Sequence, residues 1–330
     1  MKDMKRLLHS AYRKTKDTVL YNHFFIWLAI RFVKKVAFTG YKSNKFIEAG
    51  YLPVPIHFYS PIPDIKSLAR RKIWDTRSEM PGIVFNEKEQ FALLKTLGKR
   101  YGNECNWPTN ATNDQSHFYT RNSSFSYGCA AALHCMVRHN KPKRVLEIGS
   151  GLSSLVINEA LKINKKEGRK GEHLVVDPFP CKQIKSGAIQ VKKLYSIGAE
   201  EADLALFTQL EEGDILFIDS SHQAKIGSDV NFLFLEVLPR LKKGVIIHVH
   251  DINFPFDYQK SYAYSESFRQ FWTEQYLLQA LLIHTTAFKV LLSMGYLMKE
   301  IGGDFNKIFP YYDSRIHTLN SGSFWMKKVA

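Results

Sequence analysis

The sequence predicts an α/β fold with a mostly parallel sheet. Three observations carry this. From residue 125 onward, short apolar runs alternate with segments of helical periodicity. Several of those runs end in Gly or Asp, as strands do where a chain turns toward a ligand edge. The composition, 45% hydrophobic and 23% charged, supplies enough apolar surface for a core. Strand alternating with helix means βαβ crossovers, and these produce a parallel sheet.

The elements follow in order. Residues 51–63 (YLPVPIHFYSPIP) carry four prolines and predict an extended connector. Residues 64–125 mix short helical patterns, such as 87–98, with polar loops, such as 103–115. A helix is expected over 127–140, with Ala131, Leu133, Met136 and Val137 apolar and Pro142 as its stop. A strand over 144–149 and a helix over 152–165 come next. Further strands are expected at 173–177, 189–194, 214–219, 244–251, 287–292 and 323–329, seven in all. Helices are expected near 200–210, over 229–241 and over 265–282.

Charge divides the chain. Lys and Arg number 46 against 31 Asp and Glu, a net +15, and residues 1–50 hold 11 basic and 3 acidic residues. A basic tail on a nearly balanced body argues against a nucleic-acid groove across the main domain. The pattern therefore divides the chain into a basic amphipathic leader (1–50), a cap region (51–125) and the α/β domain (126–330). Residues 19–30 are apolar but too short to span a bilayer, and Arg31, Lys34 and Lys35 follow. They predict a helix that lies in a membrane interface, or one packed on the protein's own body or on a second subunit. Cys105, Cys129, Cys135 and Cys181 form no CxxC pair or zinc spacing, and no signal peptide is evident. A cytoplasmic chain is expected, peripheral to the inner face of a membrane if the leader docks there.

Two motifs mark a nucleoside-containing cofactor. Glu147-Ile-Gly149-Ser-Gly151 ends the first regular strand, where glycines permit a tight turn and close approach of a ligand. A nicotinamide fingerprint would place a third glycine where Ser154 stands. Asp177 closes the next strand, where a carboxylate can accept ribose hydroxyls.

Here the sequence resembles the class I S-adenosylmethionine-dependent methyltransferases. VLEIGSG (145–151) is similar to their glycine-rich motif, and VVDP (175–178) to their ribose-binding strand end. FIDSSH (217–222), LPRLKKGVIIHVHDI (238–252), PFDY (255–258) and WTEQYLLQALL (272–282) together resemble the methyltransferase-24 domain family. The resemblance covers roughly residues 51–330. It implies a Rossmann-like, doubly wound sheet of seven strands with an antiparallel last strand, and S-adenosylmethionine as cofactor. Glu147, Gly149, Gly151, Ser153, Asp177 and Asp219 would bind the cofactor. The acceptor would be a small molecule, sugar or glycan hydroxyl. No aromatic RNA-binding module accompanies these motifs.

Asp219, His222, His248, His250 and Asp251 form the third constellation. Asp219 and Asp251 end neighbouring strands, and two hard oxygen donors there suit Mg²⁺. Metal-dependent relatives place an Asn after the second Asp, whereas Ile252 stands here. A second reading needs no metal: His222 or His250 takes the acceptor's proton while Asp219 or Asp251 orients the imidazole. A His/Asp transition-metal site is a third. His248 shares a face with His250 and reads as a core histidine or a site residue. A non-catalytic module that binds a nucleotide-like ligand at a membrane surface is the alternative to an enzyme.

Overall fold

The computed structural model describes residues 23–74, 76–266 and 269–330. It divides into two compact units, 1–71 and 72–330. The division falls between Arg71 and Lys72, whereas the sequence pattern suggests breaks near 50 and 125.

In the smaller unit a helix runs His23–Thr39, past the basic residues where the apolar pattern ends. Residues 19–22 of the expected helix lie outside the described residues. The Phe32 ring packs against Tyr41 and Phe46 of the short helix region that follows, with centroids 6.5 and 6.0 Å apart. The proline-rich stretch 51–63 holds neither helix nor strand, because proline removes backbone donors and fixes φ. Among the described residues no helix is long and apolar enough to cross a membrane.

The larger unit is built on a seven-stranded sheet. Its strands are β1 (Arg144–Ile148), β2 (Glu172–Val176), β3 (Lys193–Tyr195), β4 (Ile215–Ile218), β5 (Ile246–Val249), β6 (Phe288–Ser293) and β7 (Phe324–Lys328). They lie in the order β3-β2-β1-β4-β5-β7-β6. Strands β1 to β5 pair in parallel, with Leu146 opposite both Leu174 and Leu216. Only β7 is antiparallel to its neighbours, β5 and β6. Order reverses between β1 and β4, so their carboxyl ends frame the crevice where α/β sheets bind ligands.

Three helices position that crevice. Helix α1 (Glu87–Tyr101) starts with Glu87 and Glu89 and ends with Lys99 and Arg100, charges that oppose its dipole. It joins the sheet through Gln90, whose Oε1 accepts the Ser293 N–H at 2.7 Å. Helix α2 (Tyr127–Asn140) is capped by Ser126, which accepts the Cys129 N–H. Its stretch from Tyr127 to Arg138 is buried all round, so this helix lies inside the unit rather than on its surface. Helix α3 (Leu152–Lys166) rises directly from the glycine loop after β1.

Four expectations change. The strand expected at 189–194 is only Lys193–Tyr195, at the sheet's edge. The helix near 200–210 breaks into two turns, Ala199–Glu201 and Ala205–Thr208. Asp203 restarts the second by accepting the Ala205 N–H at 2.8 Å. The helix expected from 265 begins at Glu274, as α4 (Glu274–Leu282). A further helix, α5 (Met294–Ile301), follows β6 without a break. The stretch from Asp229 to Arg240 is helical as expected, with a π-helical segment over Phe232–Val237.

Candidate functional site

The glycine loop sits against the end of β4. Gly149 has φ +78°, and a Cβ there would lie 2.0 Å from the Asp219 carbonyl oxygen. Only glycine lets the two strand ends approach this closely. A Cβ on Gly151, by contrast, would meet nothing within 4 Å. That side of the loop is open at the N-terminus of α3, where backbone N–H groups favour an anionic ligand group.

Glu147 and Ser153 lie beneath the loop. The Glu147 carboxylate is fully buried and accepts from Ser153 Oγ at 2.6 Å and Ser154 Oγ at 2.7 Å. His173 Nε2 sits 2.8 Å from its second oxygen. Both residues therefore shape the loop from within. Asp177, at the end of β2, accepts from Ser150 N–H at 2.7 Å, Ser150 Oγ at 2.6 Å and Phe179 N–H at 2.7 Å. Beside it Phe179 is 85% exposed, a ring face free to stack on a planar group.

The ends of β4 and β5 open into a cleft of about 650 Å³. Asp219, His222, His250 and Asp251 line it, together with Trp272 and Tyr262. His222 and Asp251 both adopt left-handed backbone, φ +59° and +55°, unusual for residues with a Cβ. Gly322 lets the chain press on Asp251, since a Cβ there would lie 2.5 Å from the Asp251 Cα.

His222 is the centre of this cleft wall. Its Nδ1 is 2.7 Å from Glu274 Oε2. Its Nε2 is 3.3 Å from Asp219 Oδ1 and 3.6 Å from Asp251 Oδ2. The His222 carbonyl accepts the N–H groups of Thr273 and Glu274 at 3.0 and 3.2 Å, which fastens the loop to the start of α4. Glu274 is itself fully buried and accepts from Ser220 Oγ at 2.8 Å. Burial pulls the His222 pKa down, but Asp219 and Glu274 outweigh it and raise it well above the usual histidine value. Burial pushes Asp219 up, and the charges of His250 and His222 more than reverse this.

The other histidines divide. His250 stacks on Phe125 with centroids 5.0 Å apart, and its Nε2 is 3.7 Å from Asp251 Oδ1. His248 is wholly buried, stacked on Phe217 at 4.1 Å and paired with Ser323 Oγ at 2.9 Å. Burial, with the His250 charge, holds it well below the ordinary histidine pKa. His248 is thus a core histidine. Ser126 and Tyr127 also line the cleft, but the Tyr127 hydroxyl donates to the Cys105 carbonyl at 3.1 Å.

The structure thus brings His222, Asp219, Asp251 and His250 together. It places Gly149, Gly151 and Asp177 at the adjoining strand ends. Glu274, to which the sequence gives a place on the following helix but no role in the site, joins His222. It stands 52 positions from His222, inside the WTEQYLLQALL run, where its charge carried no separate signal.

The strand order, the single antiparallel strand and the glycine loop at the switch point are those of the Rossmann-like methyltransferase fold. A family model described as a methyltransferase domain matches residues 146–252. An uncharacterized protein of Archaeoglobus fulgidus is 35% identical over 188 residues, which span 54% of this chain and 82% of that protein. Among solved structures, an apo form of CmcI aligns at 15% identity over 62% of this chain and 71% of its own, with a TM-score of 0.35. The plantazolicin methyltransferase BpumL in complex with SAH aligns at 13% identity over 74% and 99%, also at 0.35. The chain belongs to the methyltransferase-24 family.

Proposed function

We propose that the chain methylates an oxygen of a small polar acceptor, a sugar or glycan hydroxyl, bound in the cleft beside His222. The observation that carries this is the placement of His222: its Nδ1 is tied to Glu274 and its Nε2 is turned toward Asp219, Asp251 and the cleft. The cleft wall also offers the amides of Gln259, Gln270 and Asn320 beside the Trp272 and Tyr262 rings. Amides and aromatic faces together suit a hydroxyl-rich ring.

S-adenosylmethionine supplies a sulfonium methyl that is open to in-line displacement. The Gly149–Gly151 backbone would line it, Asp177 would accept its ribose hydroxyls, and Asp219 would border it at the cleft. Three donors already occupy Asp177, and a carboxylate offers about four acceptor sites. A two-hydroxyl contact therefore asks the Ser150 hydroxyl to turn away. Glu147 and Ser153 hold the loop in shape from below.

His222 acts in its neutral form, with Nδ1–H donating to Glu274. Its Nε2 then takes the acceptor's proton as the oxygen becomes nucleophilic. Asp219 and Asp251 stabilise the imidazolium that results, and His250 flanks them. Because Asp219 and Glu274 raise the His222 pKa, the base form gains population only as the pH rises above the usual histidine range.

Mg²⁺ does not suit these residues as they stand. An imidazole nitrogen lies between the two carboxylates, and the next donor is His250 rather than a third hard oxygen. Among the described residues no group of three or more His, Cys, Asp or Glu is arranged to hold a metal.

The test is transfer of labelled methyl from S-adenosylmethionine to a panel of free sugars and glycosides, with and without EDTA. The expected product is a methyl ether formed equally in both. Methylation on nitrogen alone, or no transfer to any hydroxyl, overturns the acceptor class. Loss of activity in EDTA overturns the metal-free reading.

A further inference from the structure

The smaller unit carries a surface that the methyl-transfer chemistry does not use. Ile26, Ile30 and Val33 lie along one face of the His23–Thr39 helix, and all three are exposed. With Ala29 they line a shallow apolar groove of about 340 Å³. Nothing in that helix is acidic, and Arg31, Lys34 and Lys35 follow the apolar run.

A second apolar patch stands on the proline-rich stretch. Pro53, Pro55, Pro61 and Pro63 keep it out of helix and sheet. Phe58 is 87% exposed and Tyr59 is 81% exposed, with their rings 4.0 Å apart. Tyr51, Leu52 and Ile56 are exposed as well. Large apolar side chains clustered on a surface in this way mark an interaction site.

Charge selects the occupant. Residues 23–71 hold 8 Lys and Arg against 2 Asp and Glu, a net +6 on this surface. Two copies of so basic a surface repel each other, whereas an anionic bilayer attracts it. Among the described residues no helix is long and apolar enough to cross a bilayer, and a basic amphipathic helix of this kind can lie in the headgroup layer.

We propose that residues 23–71 are a docking surface for an anionic lipid bilayer. The Ile26/Ile30/Val33 face and the Phe58–Tyr59 pair enter the headgroup–acyl boundary, and the basic side chains meet the lipid phosphates. The inference stands apart from the acceptor chemistry and does not depend on it.

The experiment is co-sedimentation of the full chain with two kinds of vesicle: phosphatidylcholine alone, and phosphatidylcholine mixed with phosphatidylglycerol. Binding to the mixed vesicles only, reversed by high salt, is expected. The double variant Phe58→Ser/Tyr59→Ser should weaken that binding by about tenfold or more. Its affinity for S-adenosylmethionine, measured in the same preparation, should be unchanged. Lys34→Glu/Lys35→Glu should weaken vesicle binding as well, through charge alone. Sedimentation with neither vesicle overturns the proposal, and so does equal, salt-insensitive sedimentation with both. Mass doubling in solution that Ile30→Asp abolishes, without vesicle binding, assigns the face to a second copy and also overturns it.

Discussion

Glu274→Gln tests how the cleft holds its histidine. The carboxylate is buried and 2.7 Å from His222 Nδ1, whose side chain is only 9% exposed. A hydrogen bond to a charged partner at this depth contributes about 1.5–3 kcal/mol. Removing one member of a buried ion pair can cost more, but Asp219 and Asp251 remain at 3.3 and 3.6 Å from Nε2 and limit the loss. The sign follows from linkage. The folded-state pKa of His222 is raised above its unfolded value, so the ion pair's stability is complete below the histidine value of 6.5. It is lost as the pH rises through the folded pKa. Glu274→Gln should therefore lower Tm by roughly 3–12 °C in mild acid, at about 2–4 °C per kcal/mol for a unit of this size. In strong alkali the penalty should shrink to that of a neutral hydrogen bond, about 1 kcal/mol. Thermal unfolding followed by circular dichroism across the pH range measures this. The same variant should move the rising limb of the pH–rate profile toward lower pH, because the imidazole gives up its proton more easily. A Tm loss independent of pH, with the limb unmoved, would refute the charged pairing.

Three further substitutions probe the cofactor side. Gly149→Ala should cost at least about 2 kcal/mol or prevent folding, since its Cβ meets the Asp219 carbonyl at 2.0 Å with φ at +78°. Gly151→Ala meets no atom within 4 Å at φ −173°, so its stability should stay within about 1 kcal/mol while S-adenosylmethionine affinity falls. Calorimetric affinity together with Tm distinguishes the two. Asp177→Ala should weaken S-adenosylmethionine by about tenfold or more through lost ribose hydrogen bonds. An unchanged Kd would remove Asp177 from the cofactor site.

Much of this architecture is legible in the residues because buried parallel strands leave a local signature. RVLEI, EHLVV, ILFI and IIHV are short apolar runs, and each ends where the chain must turn. Gly149 and Asp177 could be placed at strand ends from spacing alone. The misplaced elements lack that signature. Strand β3 is three residues long and only partly buried, so its pattern is faint. Helix α5 follows β6 directly, with Gly295 in its first turn, so its short helical pattern is faint. Helix α4 begins late because the His222 carbonyl, far off in sequence, takes the N–H groups of Thr273 and Glu274. The same tertiary contact hid Glu274 as the partner of His222. The burial of Glu147 was equally invisible, since a carboxylate before a glycine loop reads alike whether it faces ligand or core.

In the proposed reaction His222 receives the proton of the acceptor hydroxyl. Methyl-transfer kinetics of His222→Gln, with S-adenosylmethionine affinity measured on the same protein, test it most directly. The kcat should fall by about 10²–10⁴-fold, the pH dependence should flatten, and the Kd for S-adenosylmethionine should stay the same. A kcat near that of the unaltered chain, with the same pH profile, would contradict it.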